Sequence, residues 1–196
     1  MKLYGSVTSP YVRRVRYFLL EASISFDFID TLSESGQKEL RSRNPIWKVP
    51  YLEDGEQQIW DSHAILDYLS KKCSWSIPDS LQNPWEQSNV LHAIDGALDS
   101  GINLFYLQKD GIDIQKFAYL QKQKERIGSI LHWLVPKIKE HSFSSKPIFG
   151  IAELYLYTAL DWMQFRNVIN MTDLPTLNVF LTFWEKKENL MNTLPR

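Results

Sequence analysis

Ser9 stands directly before Pro10 and an apolar repeat at Val12, Val15, Leu19 and Ala22, which is a helical spacing. Proline suits the first helical position, where its missing N–H would have no partner anyway, so Ser9 is the expected N-cap and its hydroxyl sits at a helix mouth. A second polar helix mouth is expected at Asp61-Ser62. A hydroxyl and open backbone N–H groups there favour a carboxylate, and the Asp61 carboxylate can accept from an ammonium group. Between the two lies Val49-Pro50. An X-Pro bond is the kind that tolerates the cis form, and a cis bond here would turn the Val49 backbone out of its sheet, open to an extended peptide. Each feature also has a plainer reading, an N-cap at Ser9, Asp61 or Ser62 and a trans bond at Pro50.

The elements that must hold these groups can be read from periodicity. Residues 2–6, "KLYGS", are a short strand bounded by turn formers, and residues 24–29 alternate Ile24, Phe26 and Phe28 against Ser25, Asp27 and Ile29. "SESGQKELRSR" leaves room for a short helix that Asn44-Pro45 ends. "VPYL" and "QQIW", joined by "EDGE", carry an Asp-Gly hairpin signal. The helix opening at Asp61-Ser62 puts Ala64, Ile65, Tyr68 and Leu69 on its inner face. The order is a βαβ unit with parallel strands followed by an antiparallel hairpin, a small α/β layer fold.

Beyond "SWSIPDSLQNP" the pattern is helical. Pro84, capped by Asn83, opens one helix. A second spans roughly 113–140, with Phe117, Leu120, Ile127, Ile130, Leu131 and Leu134 towards the core and Pro136 as a kink or late break. "IAELYLYTALDWMQFR" is apolar around most of its circumference and so central, and Pro175 opens a fourth. The expected organisation is an α/β domain over 1–78, a linker over 79–85 and an all-α domain over 86–196.

The net charge is −1 and neither part is basic, so nucleic-acid binding is not expected. Arg13, Arg14 and Arg16 read as a solvated helix face. One cysteine, Cys73, excludes an internal disulfide and a CxxC pair, and four scattered histidines give no metal spacing. No apolar run suggests a leader or a membrane span, and a reduced, cytoplasmic setting fits.

The three N-terminal stretches "SPYVRRV", "NPIWKVPYLEDG" and "WDSHAILDYL", in this order, resemble the first domain of cytosolic glutathione transferases. There the pattern is Ser-Pro before the first helix, then Asn-Pro-x-x-Lys-Val-Pro, then Glu/Asp-Ser-x-Ala-Ile. "HAIDGALDSGINL" and "IAELYLYTALDWMQFR" are similar to the first and central helices of the all-α domain in bacterial members, so the likeness covers nearly the whole chain. It implies a thioredoxin-like domain joined to a helical one, assembled as a homodimer, and no metal. Glutathione would pair its cysteinyl backbone with Val49 before cis-Pro50. Its γ-glutamyl group would be held by Asp61 and Ser62, and its glycyl carboxylate met by Lys48 and, less directly, Lys38.

Ser9 would donate to the sulfur, as in the serine-type members, with Thr8 and Ser6 as alternatives and Tyr4 less suited because it lies in a strand. No cysteine stands near Ser9, which disfavours members that form a mixed disulfide, and Cys73 reads as structural. Phe105 and Tyr106 are the candidate walls of a second-substrate site. The implied activity is conjugation of glutathione to a small apolar electrophile, or peroxide reduction; the alternative is a non-catalytic binding or protein-interaction module of the same fold. Two residues depart from the family pattern. Gly150 stands where Ser or Thr usually caps the central helix, and Trp47 replaces the glycine common before Lys-Val-Pro.

Overall fold

A computed structural model describes residues 1–195 of the chain. It falls into two compact units, Met1–Ile77 together with the segment that begins at Lys186, and Pro78–Glu185.

The first unit holds a four-stranded sheet of order β2-β1-β3-β4, built from β1 (Lys2–Gly5), β2 (Asp27–Asp30), β3 (Tyr51–Asp54) and β4 (Gln57–Trp60). β1 and β2 run parallel; β3 is antiparallel to both β1 and β4. The helices α1 (Pro10–Glu21), α2 (Glu34–Arg43) and α3 (Ser62–Lys72) intervene, and the short α8 (Glu188–Met191) returns to the same unit. One sheet face buries Tyr4 and Tyr51 with Leu40 of α2, flanked by Ile29 and Val49. Leu3 and Leu52, one residue away along their strands, point to the opposite face and are fully buried, as are Val12, Val15 and Leu19 of α1 and Ile65 and Leu69 of α3. The hairpin turns at Gly55, whose φ of 61° is the left-handed value that the Asp-Gly signal anticipates.

β2 starts three residues later than its alternation suggests. Ser23, at φ 53°, ends α1, and the Ile24 N–H returns to the Leu19 carbonyl (2.8 Å), so Ile24 belongs to the helix cap rather than to the ladder. Ala64 is exposed and Leu66 is buried in its stead, turning the inner face of α3 to Ile65, Leu66 and Leu69.

The larger correction concerns the arginines. Arg13 and Arg14 are buried, not solvated. Arg13 donates to the Leu190 carbonyl (3.0 Å) and the Thr193 hydroxyl (3.3 Å), and Arg16 to the Asn192 carbonyl (3.2 Å). The turn over 190–193 is thus fastened to α1 by guanidinium groups that donate to its carbonyls and its threonine hydroxyl.

The second unit is helical: α4 (Pro84–Lys109), α5 (Ala118–Leu134), α6 (Ile151–Phe165) and α7 (Pro175–Trp184). Every residue of α6 from Ala152 to Leu160 is buried, which makes it the core helix. α5 is shorter than its pattern suggests. It ends at Leu134, and a 3-10 turn carrying Pro136 follows. Phe117 sits at its N-cap and is exposed, so the inner face starts beyond it. The segment around residue 80 is tied down: the Pro78 carbonyl accepts from Ile151 N–H (2.9 Å), and Gln87 accepts from the N–H groups of Ser80 and Leu81.

Candidate functional site

The strand register gathers the candidate residues at one end of the sheet. Tyr4 pairs with Tyr51, and Tyr51 with Trp60. Three chain segments therefore meet there: the exit of β1 towards Ser9, the entry to β3 through Val49-Pro50, and the exit of β4 into Asp61-Ser62. The Val49-Pro50 bond is cis.

Ser9 is the N-cap of α1, accepting the Val12 N–H at 3.3 Å. A hydroxyl has two acceptor lone pairs and one proton, so capping does not occupy the proton. Capping and donation to a ligand therefore use different parts of the same group. Ser6 and Thr8 bond to each other (2.7 Å), and Thr8 N–H also donates to the Ser6 hydroxyl. The Tyr4 hydroxyl lies among carboxylates, 2.8 Å from Glu39 Oε1 and 3.0 Å from Glu53 Oε2. Burial and these acidic partners raise its pKa above the ordinary phenol value. Tyr51 donates to Glu53 (3.0 Å), and burial and that bond push its pKa up to about 12. Burial alone would raise Glu53, but donation from Tyr51, Tyr4 and Arg43 outweighs it and holds the carboxyl below its usual range. This network fixes α2 on the sheet and engages Tyr4 away from Ser9.

Asp61 caps α3: Oδ1 accepts from His63 N–H (2.8 Å) and Ala64 N–H (3.4 Å). Its φ is 75° with ψ 133°, a conformation that favours glycine and that costs another residue about 1–3 kcal/mol. Ser62, next to it, is 2% exposed, and its hydroxyl accepts from Arg14 at 3.5 Å. Arg14 is the residue at this mouth that the sequence reading misses. A signal was present: its neighbours at three and four residues, Pro10, Tyr11, Tyr17 and Phe18, are all apolar or aromatic, which places Arg14 on the buried side of α1. The helix mouth of α3 thus combines the positive end of a helix dipole, a hydroxyl and a guanidinium charge behind it, an arrangement suited to an anion.

The loop before Pro50 is held from beneath by Asn44, which is fully buried. Its Oδ1 accepts Ile46 N–H (3.0 Å), its carbonyl accepts Trp47 N–H (3.3 Å), and its side-chain amide donates to the Lys48 carbonyl (2.9 Å). Trp47 adopts φ 52°, the left-handed region, at about 1–2 kcal/mol for a residue with a Cβ. The Lys48 and Lys38 side chains are exposed, the latter on α2.

Phe105 and Tyr106 lie on α4 of the helical unit. Phe105 packs edge-on to Trp162 (5.8 Å between centroids) under the Arg166 guanidinium (4.9 Å), whereas Tyr106 is 54% exposed. Among the described residues no cluster of three or more potential metal ligands occurs, and no helix is long and apolar enough to cross a membrane.

A family model described as glutathione S-transferase, N-terminal domain, matches residues 3–74. The chain is 30% identical over 174 residues to the uncharacterized GST-like protein YibF of Escherichia coli K12, covering 86% of this chain and 84% of that one. Two solved structures share the fold. One is a glutathione S-transferase from Methylobacillus flagellatus with glutathione bound, at TM-score 0.82 and 20% identity, covering 100% of this chain and 99% of that one. The other is a glutathione transferase family member from Pseudomonas fluorescens Pf-5 with bound glutathione, at TM-score 0.79 and 23% identity, covering 100% and 98%.

Proposed function

We propose, starting from the fact that this chain belongs to the glutathione S-transferase family, that its first unit binds reduced glutathione and activates the thiol for attack on a small apolar electrophile or a peroxide. The observation that carries this reading is the mouth of α3, where a strained Asp61 stands beside a buried Ser62 backed by Arg14, groups of the kind that suit a zwitterion. The γ-glutamyl carboxylate takes the Ser62 N–H and hydroxyl, and its ammonium group meets Asp61. The cysteinyl backbone lies along Val49 beside Pro50, and the glycyl carboxylate faces Lys48, with Lys38 on the neighbouring helix. Glutathione serves as co-substrate; the family's homodimer belongs to the same reading.

The sulfur then reaches the mouth of α1. A free thiol with a pKa of about 8.5 is only slightly ionised at neutral pH, and thiolate is the nucleophile. Lowering the pKa by about two units needs roughly 2.7 kcal/mol of preference for the anion. One charge-assisted bond from the Ser9 hydroxyl, together with the dipole of α1, supplies that order of energy. The thiolate lone pair forms the new S–C bond while the leaving group departs with its electron pair. With a peroxide, the thiolate attacks the terminal oxygen and the O–O bond breaks, giving a sulfenic acid and an alkoxide that takes a proton to leave as the alcohol; a second glutathione thiol then displaces water from the sulfenic acid to form the disulfide.

The test compares wild type with Ser9→Ala using a chlorinated nitroaromatic and cumene hydroperoxide, alongside calorimetry with reduced glutathione. Turnover that falls at least about a hundredfold in Ser9→Ala, with glutathione affinity retained, supports the reading. Binding without turnover in wild type supports a carrier or interaction module, and no uptake at millimolar ligand removes the site altogether.

A further inference from the structure

The Trp47 side chain has no evident role in holding its own loop. Asn44 already fixes residues 46, 47 and 48 through backbone bonds, and the left-handed φ of 52° suits a glycine better than a tryptophan. The indole is 61% exposed, so it buries little on folding. It is nevertheless held in place, since the Arg41 guanidinium lies over the ring, 5.1 Å from its centroid. Lys38 and Arg41 stand three residues apart on α2 and so share one helix face. Arg41 therefore draws the indole to the side of α2 that carries Lys38, while the chain itself places it next to Lys48. A large, flat side chain held by Arg41 thus neighbours Lys48 in the chain and leans on the helix face that carries Lys38, the two lysines assigned above to the glycyl carboxylate.

We infer that the Trp47 indole is a specificity-determining wall at the carboxyl end of the tripeptide, which makes the site selective for a thiol peptide ending in glycine. This deepens the glutathione reading and rests on it. A C-terminal residue with a side chain must displace the ring from Arg41 or lift its own carboxylate from the lysines; glycine does neither. Arg41 acts as a positioning residue for the wall.

Calorimetric titration of the full chain with reduced glutathione and with γ-glutamylcysteinyl-leucine tests this. Wild type is expected to prefer glutathione by about tenfold or more, in the range that one excluded side chain gives. Trp47→Gly should narrow the preference to about twofold by admitting the leucine peptide, Trp47→Phe should keep most of it, and Arg41→Ala should fall between. Equal affinities in wild type, or an undiminished preference in a Trp47→Gly protein that still binds glutathione, would overturn the inference and leave the glutathione site standing. Uptake of neither peptide by wild type would overturn the site and the wall together.

Discussion

Two helix beginnings in this molecule solve the same problem in opposite ways. At α3, in the first unit, the cap residue Asp61 is exposed and strained at φ 75°, and Ser62 beside it is backed by a buried guanidinium group. At α6, in the second unit, everything is consumed internally. Gly150 offers no side chain, so Ser80, seventy residues earlier, puts its hydroxyl there and accepts the Ala152 N–H at 3.3 Å. Glu153 is fully buried and accepts from Gly150 N–H (2.9 Å), Phe143 N–H (2.7 Å), the Ser142 hydroxyl (2.7 Å) and the Ser80 hydroxyl. A helix N-terminus has unpaired N–H groups that something must satisfy. Where the chain supplies every partner the terminus is structural; where it leaves an exposed, strained mouth, the terminus is suited to a ligand.

The contrast breaks most visibly at Glu153. Glu153→Ala leaves several buried donors without an acceptor and should lower the unfolding free energy by at least about 3 kcal/mol, read from urea melts. Ser80→Ala removes the borrowed cap and one of the donors to Glu153, an effect of about 1–2 kcal/mol in the same assay. Gly150→Ser, which local capping rules would recommend, should also destabilise. Its Cβ would crowd the Ser80 hydroxyl and approach the Pro78 carbonyl to 2.5 Å, and a rise in melting temperature would refute the borrowed cap.

At α3 the effect should fall on binding instead. Asp61→Gly loses a cap at a cost of a few tenths of a kcal/mol but relieves the backbone, so stability should stay within about 0.5 kcal/mol of wild type. Glutathione affinity should drop roughly tenfold or more with the loss of the ammonium partner. A variant that loses stability but not affinity would reverse the assignment of the two termini.

The sheet network is the mildest case. Tyr51, raised to about 12, contributes stability that is complete below about pH 10 and is lost as pH rises towards 12. Glu53, held below its usual value, contributes above about pH 4.5 and loses that contribution as pH falls through its folded pKa. Melting temperature against pH should therefore sag at both ends, and Tyr51→Phe should reduce both, because it removes the titrating phenol and one of the donors that hold the Glu53 carboxyl low.

Much of this was legible beforehand because its causes are local. Ser9-Pro10, Asn83-Pro84 and Pro175 open helices where proline geometry requires, and the Asp-Gly turn closes its hairpin. Asp61 and Ser62 were both visible as a helix mouth, but which one caps was not, because the choice depends on φ at residue 61. Arg13 and Arg14 were misjudged because a run of charges on a helix is usually solvated; here loose carbonyls at Leu190 and Asn192 and a hydroxyl at Ser62 supply distant partners. Trp47 was visible as a departure from pattern, yet its left-handed backbone and its contact with Arg41 were not.

By itself, then, the amino-acid order determined the element types, the parallel and antiparallel pairings and the three segments of the candidate site, since period, proline and glycine act within a few residues. Tertiary structure alone decided which polar groups are buried, which hydroxyl caps α6 and which guanidinium stands behind Ser62. Burial changes the energy of a charge or a hydrogen bond far more than sequence neighbours do, and it depends on residues that are remote along the chain.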